Sequence, residues 1–546
     1  MIPSFLHRWL VGRLLRHFRV PRDAQRFAFG RYPTRTALIT SRGALTYREL
    51  HTRVGQVVAL WSSLGVGKGD LVFTQLSDDW EQLEVRLAAT ECGVVLTAFH
   101  VAHTADHVRD ATHTVTPKLF LYDADSCAQS AVELTRASPD LQCIAVGPRG
   151  DYEQRLTAQL PRAGPVDLLP SDPLSLAFTS GTTGAPKALF VTQGVTLTSL
   201  RMVAANLRVV SQDPGRIVLG IPLSGAGSGV VLPTLLSGGT LIIPRAYDVD
   251  HAIEAIETHQ ATRLFVTPSL LIDLLDTPSL AHDALASLRN VIYGTAPMPA
   301  AKLEEALVRF GPIFQQGYGM AEVMPPVSFL QMHEHLRDAK PAPRSVLSSV
   351  GRVVPGVEVR IVDAAGGPLP PGEIGQVHIA SPTVFSGYWQ RPDLTAQVLR
   401  DGFMQTGDCG YVDGEGLLHI VDRHVDVIAR GAHTVYPRLV EEIVHDYPPI
   451  KEACLVQIDD RMVLVVSLRR AWRESEQSAQ QGLHAFLAER LEAWQRPDQI
   501  LVLEDLPRSF LCKVLRRDVR AWVALQVVNQ PPVADVVAEG RATPTS

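Results

Sequence analysis

The sequence predicts an α/β fold, with a large N-terminal region of βαβ subdomains plus a small β-meander, followed by a small α+β C-terminal domain. Three observations support this prediction. β-rich runs alternate with helical stretches over most of the chain, a Gly/Pro turn separates two strands beyond Ser349, and a shorter helix and strand pattern follows. The predicted domains are residues 1–422, residues 423–525 and a flexible tail over residues 526–546.

The N-terminal βαβ units are predicted from alternating patterns. Between Ala37 and Val166, the runs LVFTQL, GVVLTAF and KLFLYD alternate with helical stretches such as YRELHTRVGQVVALWSSLG. This alternation is typical of a largely parallel sheet with crossover helices. The pattern resumes in RIVLGIPL, GTLIIPRAY, ATRLFVTPSLLIDLL and LRNVIYGTAPM.

The meander and the C-terminal domain have sequence patterns that differ from the βαβ pattern. GVEVRIVDAAGGPLPPGEIGQVHIAS consists of strand, Gly/Pro turn and strand, which predicts antiparallel pairing. The C-terminal domain is predicted to contain a helix from Pro437 to Asp446, one strand in ACLVQIDDRMVLVVSL, a second helix and a final segment PRSFLCKVLRRDVRAWV.

Composition limits the class of protein and its partners. The 546 residues are 46% hydrophobic and 20% charged, which is too apolar for a disordered chain. The formal charge of -6 gives no global basic surface, so we expect no nucleic-acid partner. Six scattered cysteines without CxxC spacing predict reduced thiols and a cytoplasmic location.

The N-terminal stretch MIPSFLHRWLVGRLLRHFRV predicts a basic amphipathic helix. Packing of this helix on its own domain is the favoured interpretation. Peripheral contact of residues 1–20 with an anionic membrane is the alternative. The sequence contains no apolar run long enough to span a bilayer.

The stretch LAFTSGTTGAPK begins as a strand and continues as a loop of small and hydroxyl-bearing residues. Glycines that adopt positive φ, together with hydroxyls, direct several hydrogen-bond donors at one anion. The loop is not of the Walker type, because its lysine follows a proline, and a flexible linker is the alternative. We predict that it binds nucleotide phosphates through Thr179, Ser180, Gly181, Thr182, Thr183, Gly184 and Lys187.

Further motifs follow in a fixed order: GTAPM at Gly294, GYGMAE at Gly317, QTGD at Gln405 and DRHVDVIARGAHTVYP at Asp422. With TSGTTGAPK they resemble the adenylate-forming superfamily, which contains acyl- and aryl-CoA synthetases, peptide-synthetase adenylation domains and firefly-type luciferases. The similarity runs from LTYREL at Leu45 to PRSFLCKVLRR at Pro507. Each motif is weak alone, but their shared order is specific.

The resemblance implies an ATP-dependent ligase. A carboxylate attacks the α-phosphate of ATP to give an acyl-adenylate and pyrophosphate, and an acceptor thiol then displaces AMP. Because two anions meet in the first step, the site must supply positive charge and fixed geometry. The resemblance implies a catalytic role for Lys513, which would bridge the carboxylate and the α-phosphate, and for Lys187. It also implies Mg²⁺ at Glu322.

The nucleotide-binding residues are likewise implied by the resemblance. Tyr318 is expected to stack on adenine, opposite a wall formed by Gly294, Thr295, Ala296 and Pro297. Asp408 is expected to accept hydrogen bonds from both ribose hydroxyls, and Arg423 is expected at the same ribose or at the phosphate. The complete expected set adds the neighbours of Tyr318, namely Gly319, Met320 and Ala321. The small domain is expected to be mobile, with a hinge at His424 and Val425.

The acid pocket departs from the family. The segment after Pro222-Leu223 lacks the usual aromatic or His and consists of small residues. We predict that the acid contacts Ser224, Gly225, Ala226, Gly227, Met320 and Met324. The absence of an evident Asp or Arg favours an apolar acid, with an aryl acid such as a hydroxybenzoate preferred over a medium-chain fatty acid.

Other departures lie on the small domain and its hinge: Val425, Ala432, Leu439 and Cys512 replace the usual hinge Asp or Lys, a Gly, a Glu and a Gly. They favour the thiol of an acyl carrier protein over free CoA, although neutral drift explains them equally well. The motifs are also compatible with a non-catalytic nucleotide-binding relative and with a luciferase-like mono-oxygenase.

Four histidines cluster in FHVAHTADHVRDATH. His100, His103, His107 and His113 lack the spacing of HExxH-type sites and have no cysteine among them. We therefore predict a surface turn and helix at this position instead of a metal site.

Overall fold

The computed structural model describes residues 15–164, 167–179, 187–206, 214–277 and 285–527. The chain divides into two compact units, of which unit 1 is Met1–Val425 with Ser509–Lys513 and unit 2 is Asp426–Arg508 with Val514–Ser546. None of the helices in these described ranges is long and apolar enough to cross a membrane. Most of the predicted basic helix lies outside the described residues. Residues 528–546 of the predicted tail also lie outside them.

Unit 1 contains a seven-stranded sheet with a parallel centre. The inner strands pair in parallel as predicted, and the two strands that flank the LAFTSGTTGAPK loop pair antiparallel. In spatial order the strands are Gly387–Tyr388, Lys187–Thr192, Pro173–Thr179, Val95–Phe99, Leu71–Gln75, Leu119–Asp123 and Gln142–Val146.

Unit 1 also contains a nine-stranded sheet, and its six central strands are parallel. An antiparallel strand pairs with each side of this parallel set. In spatial order the strands are Arg352–Val353, Ser328–Leu330, Phe314–Tyr318, Asn290–Gly294, Arg263–Val266, Arg216–Leu219, Thr240–Ile242, Thr36–Thr40 and Gly43–Thr46.

The predicted meander is an antiparallel five-stranded sheet. Its long strand Phe403–Val412 pairs with three neighbours and carries the QTGD motif. The other strands are Glu358–Val362, Gly375–Ala380, Leu399–Arg400 and Leu418–Arg423. A short hairpin pairs Leu336–Arg337 with Lys340–Pro341.

Several helices of unit 1 begin at residues whose side chains cap them. Thr46 accepts a hydrogen bond from the Glu49 amide, and the Glu49 carboxylate accepts one from the Thr46 amide. The side chains of Asp248 and Thr267 each accept one hydrogen bond from a first-turn amide and so cap two later helices. The described helices are Pro21–Arg31, Tyr47–Ser63, Trp80–Cys92, Ala105–Ala111, Ala128–Ala137, Tyr152–Thr157, Gln193–Asn206, Val231–Leu236, Val249–His259, Pro268–Leu275, Ala300–Phe310, Arg344–Leu347 and Pro392–Val398.

Helix Trp80–Cys92 lies deep in the core of unit 1. Almost every residue of it is buried, and Gly93, with φ of +76°, ends it in the left-handed conformation that glycine adopts readily. Trp61 and Tyr47, on the neighbouring helix, are fully buried. Each such side chain stabilises the fold by roughly 2–3 kcal/mol through removal from water.

Unit 2 is a small α+β unit. Strands Ile450–Ile458, Arg461–Leu468 and Gln499–Leu503 form one sheet, and Ile428–Arg430 pairs with His433–Val435 in a hairpin. Its helices are Pro437–Val444, Glu476–Arg490 and Arg516–Val527.

The prediction of one strand in ACLVQIDDRMVLVVSL is wrong, because this run forms two antiparallel strands. The chain reverses at Asp459, which has φ of +50°, and the two halves then pair along their whole length. The helix predicted from Pro437 to Asp446 ends at Val444.

Candidate active site

Three of the predicted site segments of unit 1 lie at the carboxyl ends of parallel strands in one sheet. Strands Phe314–Tyr318 and Asn290–Gly294 are adjacent, and Arg216–Leu219 lies two places further along the sheet. Segments that follow parallel strands emerge at the same sheet edge, which is where ligands bind in open α/β sheets. The tyrosine motif, the GTAPM motif and the small-residue segment therefore share one edge.

Most of the predicted phosphate loop lies outside the described residues, namely Ser180, Gly181, Thr182, Thr183 and Gly184. Its flanks are described. Thr179 ends one strand and Lys187 begins the next, and the two residues are cross-strand partners. The ammonium of Lys187 lies 5.6 Å from the centre of the Tyr388 ring, a cation–π distance.

The half-buried carboxylate of Glu322 lies among charges of both signs. Its backbone carbonyl accepts a hydrogen bond from the Phe385 amide at 2.7 Å, which fixes the chain at this point. Burial raises the pKa of Glu322, and the nearby Asp408 raises it further, whereas Arg423 and Lys187 lower it. A cation at this carboxylate would offset both the burial and the repulsion.

Tyr318, Asp408 and Arg423 form a connected group. The Tyr318 hydroxyl donates to Oδ2 of Asp408 at 2.5 Å, and Nη1 of Arg423 lies 3.2 Å from Oδ1 of the same carboxylate. Asp408 and Arg423 face each other on adjacent antiparallel strands, so the meander itself sets their pairing. The expected adenine and ribose residues are therefore brought together.

The GTAPM segment passes close to the tyrosine motif. A Cβ on Gly294 would lie 2.4 Å from the Gly317 carbonyl oxygen, so only glycine fits. Thr295 has φ of +72°, a strained conformation for a non-glycine residue. Its hydroxyl oxygen is buried and has no hydrogen-bond partner within the described ranges. Ala296 is half-buried and Pro297 is exposed.

Residues beyond the tyrosine motif are held by backbone bonds. The Met320 amide donates to the Val323 carbonyl at 3.2 Å. The Met324 amide donates to the Thr383 carbonyl at 3.0 Å, and the Thr383 hydroxyl donates to the Met324 carbonyl at 2.8 Å. Gly319 and Met320 are half-buried, whereas Ala321 is exposed.

The predicted acid segment makes a tight turn and then a short 3-10 helix, Ala226–Val230. The amides of Gly225 and Gly227 both donate to the Pro222 carbonyl. A Cβ on Gly227 would lie 2.2 Å from the Ile221 carbonyl oxygen, which explains the small residue there. The hydroxyl oxygen of Ser224 is buried without a partner in the part of the chain that is described.

A buried polar network beneath this segment was missed by sequence reasoning. Oδ2 of Asp78 accepts from the Leu223 amide at 2.8 Å and from the Tyr247 hydroxyl. The Arg86 guanidinium donates to the Leu223 carbonyl at 2.8 Å. Burial lowers the pKa of Arg86 to about 10, although Asp78 opposes this shift. No local pattern signals the network, because its members are far apart in sequence.

The segment Ser509–Lys513 groups with unit 1. The Ser509 amide donates to the Lys513 carbonyl at 2.8 Å, which closes a tight turn. Cys512, where the family has glycine, adopts φ of +54°, and its thiol donates to the Tyr247 carbonyl at 3.4 Å. Burial, together with the positive charge of Arg423, lowers the pKa of Lys513 to about 8.

The predicted hinge residues belong to a 3-10 turn, His424–Asp426. Unit 1 ends at Val425, slightly beyond the predicted domain boundary. The Val425 side chain is 68% exposed, although charged residues are usual at this position in the family.

The four histidines form a turn followed by helix Ala105–Ala111, as predicted. The His100, His103 and His107 side chains are half-buried, and that of His113 is exposed. The His100 ring stacks on Phe510 with centres 4.5 Å apart. Across the described ranges, no group of three or more His, Cys, Asp or Glu side chains has the arrangement of a metal site.

Comparison with known proteins places these residues in a family. A family model described as AMP-binding enzyme matches residues 25–389. The chain is 30% identical to the medium/long-chain-fatty-acid–CoA ligase FadD8 of Mycobacterium tuberculosis, over 90% of this chain and 88% of the relative. It is also 30% identical to a feruloyl-CoA synthase of an Amycolatopsis species, over 89% and 96%.

A carrier-protein ligase and a solved structure are also similar. The fatty acid–[acyl-carrier-protein] ligase ScoC of Streptomyces coeruleorubidus is 29% identical, over 89% of this chain and 93% of the relative. The amide bond synthetase McbA of Marinactinospora thermotolerans has a TM-score of 0.81 and 27% identity, over 92% of this chain and 99% of that structure.

Proposed function

Because the chain belongs to the AMP-binding enzyme family and is an AMP-forming acid–thiol ligase, we propose that its acid is a hydrophobic carboxylic acid, with an aryl acid preferred, and that its acceptor is a phosphopantetheine thiol. The observation that carries this proposal is the grouping of charged residues around Glu322, which come from the seven-stranded sheet and from the meander. The positive charges of Lys187 and Arg423 lower the pKa of Glu322, and the charge of Arg423 also lowers the pKa of Lys513.

In the first step, a carboxylate oxygen of the acid attacks the α-phosphorus of ATP. The bond between the α-phosphorus and the bridging oxygen breaks, and pyrophosphate leaves with the bond electrons. Negative charge collects on the α-phosphate, so fixed cations nearby lower the barrier. We assign this role to Lys513, whose position close to Arg423 is supported by the effect of the Arg423 charge on the pKa of Lys513.

The nucleoside is assigned to the group formed by Tyr318, Asp408 and Arg423. Asp408 is buried and has two acceptor oxygens, which suits a pair of ribose hydroxyls. The Tyr318 ring offers a face for adenine beside the backbone of Gly294. The buried, unpartnered hydroxyl of Thr295 fits a site that a polar ligand completes.

Glu322 is the proposed protein ligand of Mg²⁺, and the residues present fit this ion. Mg²⁺ sites at phosphates commonly use one or two carboxylates, so a single half-buried carboxylate is enough. When bound, the ion would neutralise phosphate charge and hold the phosphates in place. Glu322 itself is held by the bond from its carbonyl to the Phe385 amide.

An apolar acid is supported by the composition of the segment over Ser224–Gly227 and by Met320 and Met324. An aryl acid is the preferred class, and a fatty acid is the alternative. Relatives with acids of both classes match at equal identity, namely a feruloyl-CoA synthase and a fatty-acid–CoA ligase.

In the second step, the acceptor sulfur attacks the acyl carbon, AMP leaves and the thiol proton passes to solvent. Free CoA and a carrier protein present the same thiol, so the chemistry at the acyl group is common to both. CoA ligases among the relatives support CoA, and ScoC supports the carrier. Both acceptors occur in the cytoplasm, where thiols such as the six cysteines stay reduced.

One experiment tests the proposal. The protein is incubated with ATP, Mg²⁺ and a panel of aryl and fatty acids, and pyrophosphate release is measured. Release with a hydrophobic acid, strongly reduced in Lys513→Ala, is the expected result. CoA and a phosphopantetheinylated carrier are then added separately, and thioester is detected by mass spectrometry. ATP binding without release for any acid would instead identify a non-catalytic nucleotide-binding protein.

A further inference from the structure

The turn that carries Lys513 is internally bonded. The Ser509 hydroxyl oxygen accepts from the amides of Leu511 at 3.2 Å and Lys513 at 3.4 Å. The Ser509 carbonyl accepts from the Cys512 amide at 2.8 Å. Phe510 and Lys513 therefore move as one piece, and whatever holds Phe510 also holds Lys513.

Phe510 is held by histidine rings. Its ring stacks on His100, with planes 15° apart, and meets His103 edge-on with centres 4.8 Å apart. His103 in turn stacks on His107 with centres 4.6 Å apart. Phe99 packs edge-on against both of the latter rings. Aromatic pairs of this geometry are favourable beyond the apolar area that they bury.

The histidine turn fixes these rings in place. The His100 amide donates to Nδ1 of His103 at 3.0 Å, and the Ala102 amide donates to Nδ1 of His100 at 3.1 Å. The buried Gln75 amide group donates to the carbonyls of His100 at 3.3 Å and His103 at 2.8 Å. Each Nδ1 is thus an acceptor, and the ring orientation is set by the chain.

Two further contacts hold the turn Ser509–Lys513. Leu511 fills the space above Gly225, where a Cβ would lie 2.3 Å from Cδ2 of Leu511. The Cys512 thiol reaches the Tyr247 carbonyl at 3.4 Å. Both contacts help to hold the turn in place, but neither involves the aromatic ring of Phe510.

We infer that Phe510 is a positioning residue for Lys513, clamped by His100 and His103. The inference rests on the proposed function, because it assigns to Phe510 an effect on the adenylation step only. Adenylation depends on the placement of the Lys513 ammonium, so loss of the clamp lowers the rate of that step and not the affinity for ATP.

The test separates the two half-reactions. Phe510→Ala is expected to lower kcat for acid-dependent pyrophosphate release by about 10- to 100-fold, with the KM for ATP unchanged. Thioester formation from a synthetic acyl-adenylate should stay at the wild-type rate. Phe510→Tyr keeps the stacked ring and should restore adenylation. Phe486→Ala removes an equally half-buried ring from unit 2 and is the control for general loss of stability.

A double-mutant cycle between His100 and Phe510 tests the contact from the histidine side. His100→Ala should lower adenylation as Phe510→Ala does, and the double variant should be no worse than the single ones, since all of them remove one contact. Wild-type adenylation in Phe510→Ala, or equal loss of both half-reactions, would overturn the inference. Wild-type protein that releases no pyrophosphate would overturn the proposed function instead.

Discussion

The Tyr318 hydroxyl donates to Oδ2 of Asp408 at 2.5 Å, although one residue ends a strand of the nine-stranded sheet and the other lies in the meander. This bond joins the two sheets at the proposed nucleoside position. Tyr318 therefore both orients the carboxylate and offers a ring face.

Loss of the Asp408 carboxylate and loss of the Tyr318 hydroxyl should raise the KM for ATP by different factors. Asp408→Ala should raise the KM for ATP by about 10- to 100-fold, because hydrogen bonds to a charged group are lost. Tyr318→Phe keeps the ring and loses one bond, so a rise of about 10-fold or less is expected. ATP–pyrophosphate exchange measures both. Equal effects would show that Tyr318 acts only through Asp408.

The pH dependence of adenylation should report Lys513. Burial lowers the pKa of this ammonium to about 8, so the charged form is lost as pH rises through that value. Since the proposed role needs the charge, kcat/KM for pyrophosphate release should be level below pH 8 and fall above it.

Lys513→Arg provides the control for this profile. Arginine stays charged in proteins, so the variant should be slower than wild type but should lack the decline above pH 8. A variant that retains the same decline would assign it to another group. Lys513→Ala should lower adenylation by about 100- to 1,000-fold and leave thioester formation from a supplied acyl-adenylate intact.

Low pH should destabilise unit 1 through His335. This side chain is fully buried, with Nδ1 bonded to the Gln331 carbonyl at 2.8 Å and Nε2 to the Tyr293 hydroxyl at 3.0 Å. Burial lowers the pKa of His335 to about 4. The unfolded chain binds the proton at higher pH than the folded chain, so stability falls as pH drops from 6.5 toward 4.

The size of this effect follows from the pKa. Between pH 6.5 and pH 5, His335 should remove about 2 kcal/mol from the free energy of unfolding. Urea unfolding of wild type and His335→Gln at several pH values measures it. The difference between the two proteins should shrink as pH falls, and a constant difference would contradict the prediction.

Gly431 and Ala432, in the hairpin turn of unit 2, differ in backbone conformation. Gly431 has φ of +62°, whereas Ala432, beside it, does not occupy the left-handed region. Gly431→Ala should therefore destabilise the protein by about 1 kcal/mol, measured by thermal unfolding. Ala432→Gly, which recreates the family pair, should change thioester formation with CoA by less than about twofold. A large gain with CoA would show that the Ala432 methyl narrows the path of the thiol.

Much of the fold was predictable because its signals are local. Apolar runs bounded by Gly and Pro identified the strands Leu71–Gln75, Val95–Phe99 and Leu119–Asp123. The error at Asp459 has a local cause too. Two aspartates inside a long apolar run mark a hairpin turn, and the unbroken hydrophobicity on both sides concealed it.

The candidate site was predictable only where sequence motifs carry its residues. Tyr318, Gly294 and Asp408 were expected together, and they lie together. Contacts made between distant segments left no pattern in the sequence. The network of Asp78, Arg86 and Tyr247 and the ring contact of Phe510 with His100 depend on tertiary packing alone.

The contact between Leu511 and Gly225 has a consequence for how this enzyme can change. Gly225 belongs to the proposed acid segment, where a larger residue would be an obvious way to narrow the choice of acid. The first added carbon would collide with the turn that presents Lys513. Selectivity and rate are therefore linked at this position, and laboratory evolution toward smaller acids should avoid residue 225 unless Leu511 is shortened at the same time.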